Sequence, residues 1–250
     1  MTYLTGIIGH PIAHSLSPTI HNQWYKEANL DYQYSAIDIP PEKLADFLQV
    51  AKTKYKGLSV TVPHKETCRQ FLATETDAVT QIGACNTIII TPSGLSGHNT
   101  DWQGWLTAFI NQTKIDFKIT QPKILIFGAG GAAKAVLYAL NQIKATNIYV
   151  TNRTTTKGET VAKNFGYTFL PTTKLTTQTW KILINTTSLG LTATDPSPIP
   201  AELITPNTIV YDLNYTPNQL KALTKQKGAH YINGEQMLLE QAKLQHLLFT

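Results

Sequence analysis

Lys65 and Asp101 bring an amine and a carboxylate, a pair able to pass a proton at a carbonyl. Lys65 closes the string Gly57-Leu58-Ser59-Val60-Thr61-Val62-Pro63-His64-Lys65, and Asp101 stands in Asn99-Thr100-Asp101-Trp102-Gln103-Gly104. Each string runs from an apolar or Gly-rich stretch into a polar turn, where a helix is expected to open. Farther along, Lys123-Ile124-Leu125-Ile126-Phe127-Gly128-Ala129-Gly130-Gly131-Ala132-Ala133 fits strand, turn and helix. Gly128 permits the tight turn, Gly130 lets the backbone approach a pyrophosphate, and Ala133 takes the third small position, where helix packs on strand. Free N–H groups at the helix start then face the phosphates. The next strand ends Tyr149-Val150-Thr151-Asn152-Arg153-Thr154, with Lys157 one turn on. An NAD site usually places Asp or Glu there. Asn, Arg and Thr suit a 2′-phosphate instead, so NADP is the expected cofactor. Proton-transfer residues followed by a hydride-carrier site imply a carbonyl/alcohol oxidoreductase.

Other polar residues admit two readings each. Gly9-His10-Pro11-Ile12-Ala13-His14-Ser15-Leu16-Ser17-Pro18 leads to His21-Asn22. Ser17 is placed as the N-cap of a helix with Pro18 at its first position. Two hydroxyls and unpaired N–H groups at a helix start also make a carboxylate seat. Thr61 and Lys65 sit at and after a strand end, where a lone Lys is otherwise solvated charge. Asn86, in Gly83-Ala84-Cys85-Asn86-Thr87, is by itself an ordinary turn residue.

Composition narrows the function class. The 250 residues suffice for one large domain or two modest ones. No apolar run is long enough for a membrane span, and the N-terminal residues lack the features of a signal peptide. Cys68 and Cys85 are the two cysteines and cannot form a disulfide framework, so a cytoplasmic location is expected. The seven histidines are scattered, His10 and His14 are a weak pairing, and no metal site is expected. The formal net charge of +5 favours anionic partners. Of the basic residues only Arg69 and Arg153 are arginines, and the lysines are dispersed. Small acids and nucleotides satisfy that charge as well as nucleic acid does, and dispersed lysines with few arginines speak against a nucleic-acid binder.

The elements that must carry these residues alternate in type, the pattern of an α/β protein with largely parallel sheets. Strands are expected at 4–8, 32–39 and 58–62, and helices at 18–28, 41–53 and 66–72. A hairpin of strands 87–91 and 95–98 turns at Pro92-Ser93-Gly94. Helix 102–111 leads into a polar connector at 112–122. Strands 124–127, 147–151, 182–185 and 208–213 then alternate with helices 131–143 and 155–165. Residues 193–200 carry Pro196, Pro198 and Pro200 and read as a surface loop. Helices 217–226 and 235–248 close the chain. The expectation is two α/β domains with a cleft between them. An N-terminal open-sheet substrate domain would span 1–101, joined by the C-terminal helix at 233–250. A Rossmann-like NADP domain would span 102–232.

Taken together, the strings resemble the shikimate dehydrogenase family. The match includes G-x-P-I-x-H-S-x-S-P-x-x-H-N at 9–22, V-T-x-P-x-K at 60–65, G-A-x-N-T at 83–87 and G-x-N-T-D-x-x-G at 97–104. It continues with G-A-G-G-A at 128–132 and N-R-T at 152–154, then residues 185–190 and 211–217, and G-x-x-M-L-x-x-Q-A at 234–242. The resemblance runs through essentially the whole chain in order and implies NADP-dependent interconversion of shikimate and 3-dehydroshikimate. It implies that Ser15, Ser17 and Tyr215 hold the substrate carboxylate. Thr61, Asn86 and Gln241 would hold ring hydroxyls, and Lys65 and Asp101 would be the catalytic pair, also touching substrate. Gly128, Ala129, Gly130, Gly131 and Ala132 would lie against the cofactor, with Thr186 and Leu213. Asn152, Arg153, Thr154 and Lys157 would grip its adenosine end, and Gly234 and Met237 would line the nicotinamide.

Three features depart from the family pattern. Ser59 stands where Asn is usual before V-T, Leu220 where Thr is common, and the C-terminal tail is short. They bear on fine geometry rather than on activity. The rival functions are a quinate or quinate/shikimate dehydrogenase and a non-catalytic ligand-binding paralogue, which would be expected to have lost Lys65 or Asp101. The expected partners are small molecules, with no nucleic acid and no membrane, and the expected state is a monomer or homodimer.

Overall fold

The computed structural model describes residues 2–250, and the side chains of all of these except 176 and 177. The chain divides into two compact units, one of Met1–Gly104 with Glu240–Thr250 and one of Trp105–Leu239. Both divisions fall inside helices.

The first unit holds strands β1 (Tyr3–Gly9), β2 (Tyr32–Asp38), β3 (Tyr55–Val60), β4 (Thr74–Glu75), β5 (Thr87–Thr91) and β6 (Gly94–His98). Its helices are α1 (Ser17–Glu27), α2 (Leu44–Lys54), α3 (His64–Thr67) and α4 (Asp77–Ile82). Helix α5 (Asp101–Thr113) leaves it, and α9 (Glu235–Phe249) returns to it. The sheet order is β2-β1-β3-β5-β6-β4. Successive side chains of a strand face opposite ways, and neighbours Ile7 and Ile8 of β1 accordingly enter different cores. Ile8 packs with Leu58, Val60, Leu44, Leu48 and Ala51. Ile7 packs with Tyr25, Tyr34 and Phe249.

The second unit holds β7 (Ile124–Phe127), β8 (Ile148–Thr151), β9 (Thr168–Phe169), β10 (Ile182–Asn185), β11 (Ile209–Asp212) and β12 (His230–Ile232). Helices α6 (Gly131–Gln142), α7 (Thr155–Asn164) and α8 (Gln219–Gln226) connect them. Its order is β12-β11-β10-β7-β8-β9, and every described pairing is parallel. Buried parallel strands read as continuous apolar runs, and all four residues of β7 and of β10 are buried.

Several expectations change. The expected β5–β6 hairpin forms, but β5 also runs antiparallel to β3, so the first sheet is mixed. Strand β3 ends at Val60 and α3 opens at His64, so Lys65 lies in a helical first turn. Ser17 is not the N-cap of α1. It is already helical and buried, Leu16 holds the cap position, and the Ser15 hydroxyl accepts from the Ser17 N–H at 3.3 Å. Residues 41–43 form a short 3₁₀ turn before α2. Helix α4 was not expected, since six residues show too little periodicity. Its ends nevertheless carry local signals: the Thr76 hydroxyl accepts from Val79 N–H, and Gly83 closes it at φ 73°. Short strands β4, β9 and β12 were missed for the same lack of length. The Pro-rich 193–200 segment is irregular, but Ile199 within it is fully buried.

Candidate active site

In the first unit the ends of β3, β5 and β6 and the starts of α3 and α5 carry a connected polar cluster. Lys65 Nζ lies 2.6 Å from Asp101 Oδ2, with side-chain exposures of 30% and 14%. Both groups therefore remain reachable by a ligand. The Lys65 carbonyl accepts from Cys85 N–H at 2.7 Å, which ties the short helix α3 to the residue before Asn86. Asp101 opens α5, where a carboxylate is favoured by the helix dipole. Its own N–H donates to Asn99 Oδ1 at 3.0 Å.

Asn86 is buried and satisfied on both sides. Its Nδ2 donates to Asp101 Oδ1 and to Thr100 Oγ1, each at 2.9 Å, and lies 3.4 Å from Gln241 Oε1. Its Oδ1 accepts from Thr100 N–H at 2.7 Å and Thr87 Oγ1 at 2.8 Å. One carboxylate oxygen of Asp101 thus takes the ammonium and the other takes the amide. Gln241 reaches this cluster from α9 because Gly104 lets the helices touch. A Cβ at Gly104 would stand 2.6 Å from Gln241 N and 2.7 Å from Gln241 Cβ. Gly104, the last residue of G-x-N-T-D-x-x-G, is therefore a packing requirement.

Thr61 follows β3, its N–H donating to Ile8 O at 2.9 Å and its carbonyl accepting from His64 N–H at 2.8 Å. Gly9 keeps this corner small: a Cβ there would meet Thr61 Cγ2 at 2.6 Å. Ser15 is half-buried and Ser17 is buried near the Tyr34 hydroxyl. Tyr215 belongs to the second unit, on the exposed turn after β11, and so is not grouped with the two serines by either unit's own fold.

In the second unit the glycine turn lies where the sequence places it. Gly128 has φ 116°, a conformation that L side chains rarely adopt, and a Cβ would meet Thr186 Oγ1 at 2.5 Å. Thr186 is held by its hydroxyl on Phe127 O at 2.7 Å. Gly130 caps α6, and a Cβ built there meets nothing within 4 Å. Open space at the start of a twelve-residue helix, beside Ala129, Gly131 and Ala132, fits a pyrophosphate. At the end of β8, Asn152 Nδ2 donates to Thr154 O at 2.9 Å, fixing the turn that carries Arg153. Arg153, Thr154 and Lys157 are exposed. Among the described residues neither Arg153 nor Lys157 forms an ion pair. Unpaired cations at this strand end fit a 2′-phosphate. Gly234 meets Leu213 so closely that a Cβ would collide with the Leu213 backbone. Met237 follows one turn on, in α9 and partly buried.

Two buried residues escaped sequence reasoning. Asp212 is fully buried and accepts from Asn185, Asn218, Tyr231 and the Asn214 N–H, at 2.8–3.1 Å. It ties together the loops that follow β10 and β11. Its place inside the 211–217 string was the available signal. Gln245, one helical turn beyond Gln241, is 2% exposed and had no motif to mark it. Of the departures from the family pattern, Leu220 is a core residue of the second unit. Among the described residues no group of three or more His, Cys, Asp or Glu is placed to hold a metal ion. Among them, too, no helix is long and apolar enough to cross a membrane.

Residues 7–88 match the family model of the shikimate dehydrogenase substrate binding domain. Residues 110–195 match that of shikimate / quinate 5-dehydrogenase. Shikimate dehydrogenase (NADP(+)) of Shouchella clausii is 36% identical over 98% of this chain and 91% of its own. The crystal structure of shikimate dehydrogenase from Aquifex aeolicus superposes with a TM-score of 0.93 at 34% identity, covering 100% of this chain and 92% of that one. Shikimate 5-dehydrogenase from Thermus thermophilus, solved in complex with NADP(H) and shikimate, gives 0.91 at 32% identity, covering 100% and 94%.

Proposed function

Because the chain belongs to the shikimate dehydrogenase family, we propose that it catalyses the reversible, NADP-dependent reduction of 3-dehydroshikimate to shikimate, a step of the route to aromatic amino acids. The observation that carries this is the Lys65–Asp101 pair at 2.6 Å with Asn86 on the second carboxylate oxygen. NADPH, when bound, supplies the hydride for the C3 carbonyl. The carbonyl oxygen then gathers negative charge and needs a proton. Lys65 stabilises that charge and donates from Nζ, and Asp101 orients the ammonium and shares the substrate hydroxyl. In oxidation the same pair receives the proton.

Ser15, Ser17 and Tyr215 take the carboxylate, and Thr61, Asn86 and Gln241 the ring hydroxyls. Gly128 to Ala132, Thr186 and Leu213 hold the cofactor, Asn152, Arg153, Thr154 and Lys157 its adenosine end, and Gly234 and Met237 its nicotinamide. The substrate half is 1–101 with 233–250 and the cofactor half is 102–232. The protein acts on small molecules in the cytoplasm, as a monomer or homodimer. NADP reduction assayed with shikimate against quinate, and repeated with NAD, tests the assignment. Shikimate with NADP should be the fastest pairing by a wide margin. Faster turnover with quinate, or no turnover with either acid, would sink it.

A further inference from the structure

Behind Asn86 lies a line of buried hydrogen bonds to which the mechanism above gives no role. Tyr34, Ser59, Gln245, Thr87 and Asn86 are all 2% exposed or less. Tyr34 Oη lies 2.6 Å from Ser59 Oγ, and Ser59 Oγ lies 2.8 Å from Gln245 Oε1. Gln245 Nε2 lies 3.1 Å from both Asn86 O and Thr87 Oγ1. Thr87 Oγ1 meets Asn86 Oδ1 at 2.8 Å, and Asn86 Nδ2 meets Asp101 Oδ1 at 2.9 Å.

Two backbone groups set the direction of every proton in this line. The Asn86 carbonyl can only accept, so the edge of Gln245 facing it must be the NH₂. Gln245 Oε1 therefore faces Ser59, Ser59 must donate to it, and Tyr34 must donate to Ser59. The Thr100 N–H can only donate, so the edge of Asn86 facing it at 2.7 Å must be Oδ1. Thr87 then spends its one proton on Oδ1, and Asn86 turns its NH₂ to Asp101. Burial pushes the Tyr34 phenol above its ordinary range, so it stays a donor. All donors point the same way, and the line ends on a carboxylate. Bonds aligned head to tail polarise one another. Ser59 stands where the family motif carries Asn, and the amide that this wall then lacks is supplied by Gln245 from α9.

The geometry points to Gln245 as a positioning residue for the reaction: its amide holds the Asn86 carbonyl and turns the Thr87 proton onto Asn86 Oδ1, and so steadies the Asn86 amide, whose orientation the Thr100 N–H sets, against Asp101 while the other carboxylate oxygen is left to Lys65. The inference rests on the reading of Asn86 and Asp101 given above.

The test is steady-state oxidation of shikimate with NADP by Gln245→Met, which keeps length and removes the amide, and by the pair Gln245→Ala and Ser59→Asn with Gln245→Ala. Melting temperatures and Asp101→Asn are measured alongside. Gln245→Met and Gln245→Ala should each lose about tenfold in kcat/KM, the effect of one or two net hydrogen bonds. Adding Ser59→Asn should restore most of the loss suffered by Gln245→Ala, whereas adding Ser59→Leu, of similar size but without an amide, should not; equal rescue by both would show packing alone and overturn the inference. Near-normal kcat/KM in Gln245→Met, or a loss that only follows melting temperature and is not restored, overturns the inference. If Asp101→Asn is inactive while Gln245→Met is normal, this inference alone fails. If Asp101→Asn turns over normally, the site reading fails and the inference with it. Should Gln245→Met not fold, Ser59→Ala cuts the same line at a smaller side chain and is held to the same tenfold loss.

Discussion

The polar groups of the two units are arranged in opposite ways. In the first unit they are paired with one another before any ligand arrives: Lys65 with Asp101, Asp101 with Asn86, Asn86 with Thr100. In the second unit the residues assigned to the adenosine end, Arg153, Thr154 and Lys157, are exposed, with Arg153 and Lys157 outside any ion pair among the described residues and open space in front of Gly130. Its interlocked polar groups centre on the buried Asp212 and tie together the loops after β10 and β11. The difference fits the two tasks. Proton transfer needs groups held to a fraction of an ångström, whereas gripping a charged tail needs donors left free for the ligand.

The contrast predicts strong, coupled effects in the first unit and local ones in the second. Lys65→Ala should lower turnover about 10²–10⁴-fold, the reach of a positioned acid, with shikimate still binding measurably. Turnover near normal would remove Lys65 from the mechanism and, with it, the reason for a pre-paired cluster. Arg153→Ala should weaken NADP about tenfold or more, the cost of one charge-assisted contact of roughly 1.5–3 kcal/mol, and leave NAD nearly unchanged. Equal weakening of both cofactors would show that Arg153 contacts something common to them.

Ser15→Ala lies between these cases, because its hydroxyl accepts from Ser17 N–H yet is half-buried and reachable. It should raise KM for shikimate about three- to tenfold, the value of one hydrogen bond, with little change in turnover or melting temperature. The carboxylate lies away from the reacting carbon and is held alike in ground and transition states. An unchanged KM would move the carboxylate elsewhere.

The smallest effect concerns acid. Burial, then the nearby His246, pulls the His21 pKa down to about 3 from 6.5. The ring stacks on Tyr34 with 4.2 Å between centroids. Below pH 6.5 the unfolded chain takes up a proton that the native state refuses until about pH 3. Stability from this site is therefore complete above 6.5 and is lost as pH falls through that window. The second unit has only His230, which is exposed. His21→Phe should flatten the fall of melting temperature between about pH 6 and 4. An unchanged slope would place the acid sensitivity outside this cluster.

Local features of the chain were legible in the residues alone. Gly128, Gly130 and Ala133 mark a turn whose demands lie within a few positions, and the long elements α5, α6, α7 and α9 show helical periodicity across several turns. Lys65 and Asp101 stood out because each sits where a strand or hairpin hands over to a helix. Helix α4 and the two- and three-residue strands lacked the length for any period, and Ser17 matched a cap residue in type while its neighbours decided its place. Sequence alone determined the kind of chemistry and the order of its parts, since residue type and short spacing are written along the chain. Only the tertiary structure decided that Gln241 and Gln245, 155 and 159 positions from Asn86, complete its surroundings. Contacts so distant carry no repeat or spacing along the chain, and they form because Gly104 and Gly57 let α9 settle against α5 and the sheet.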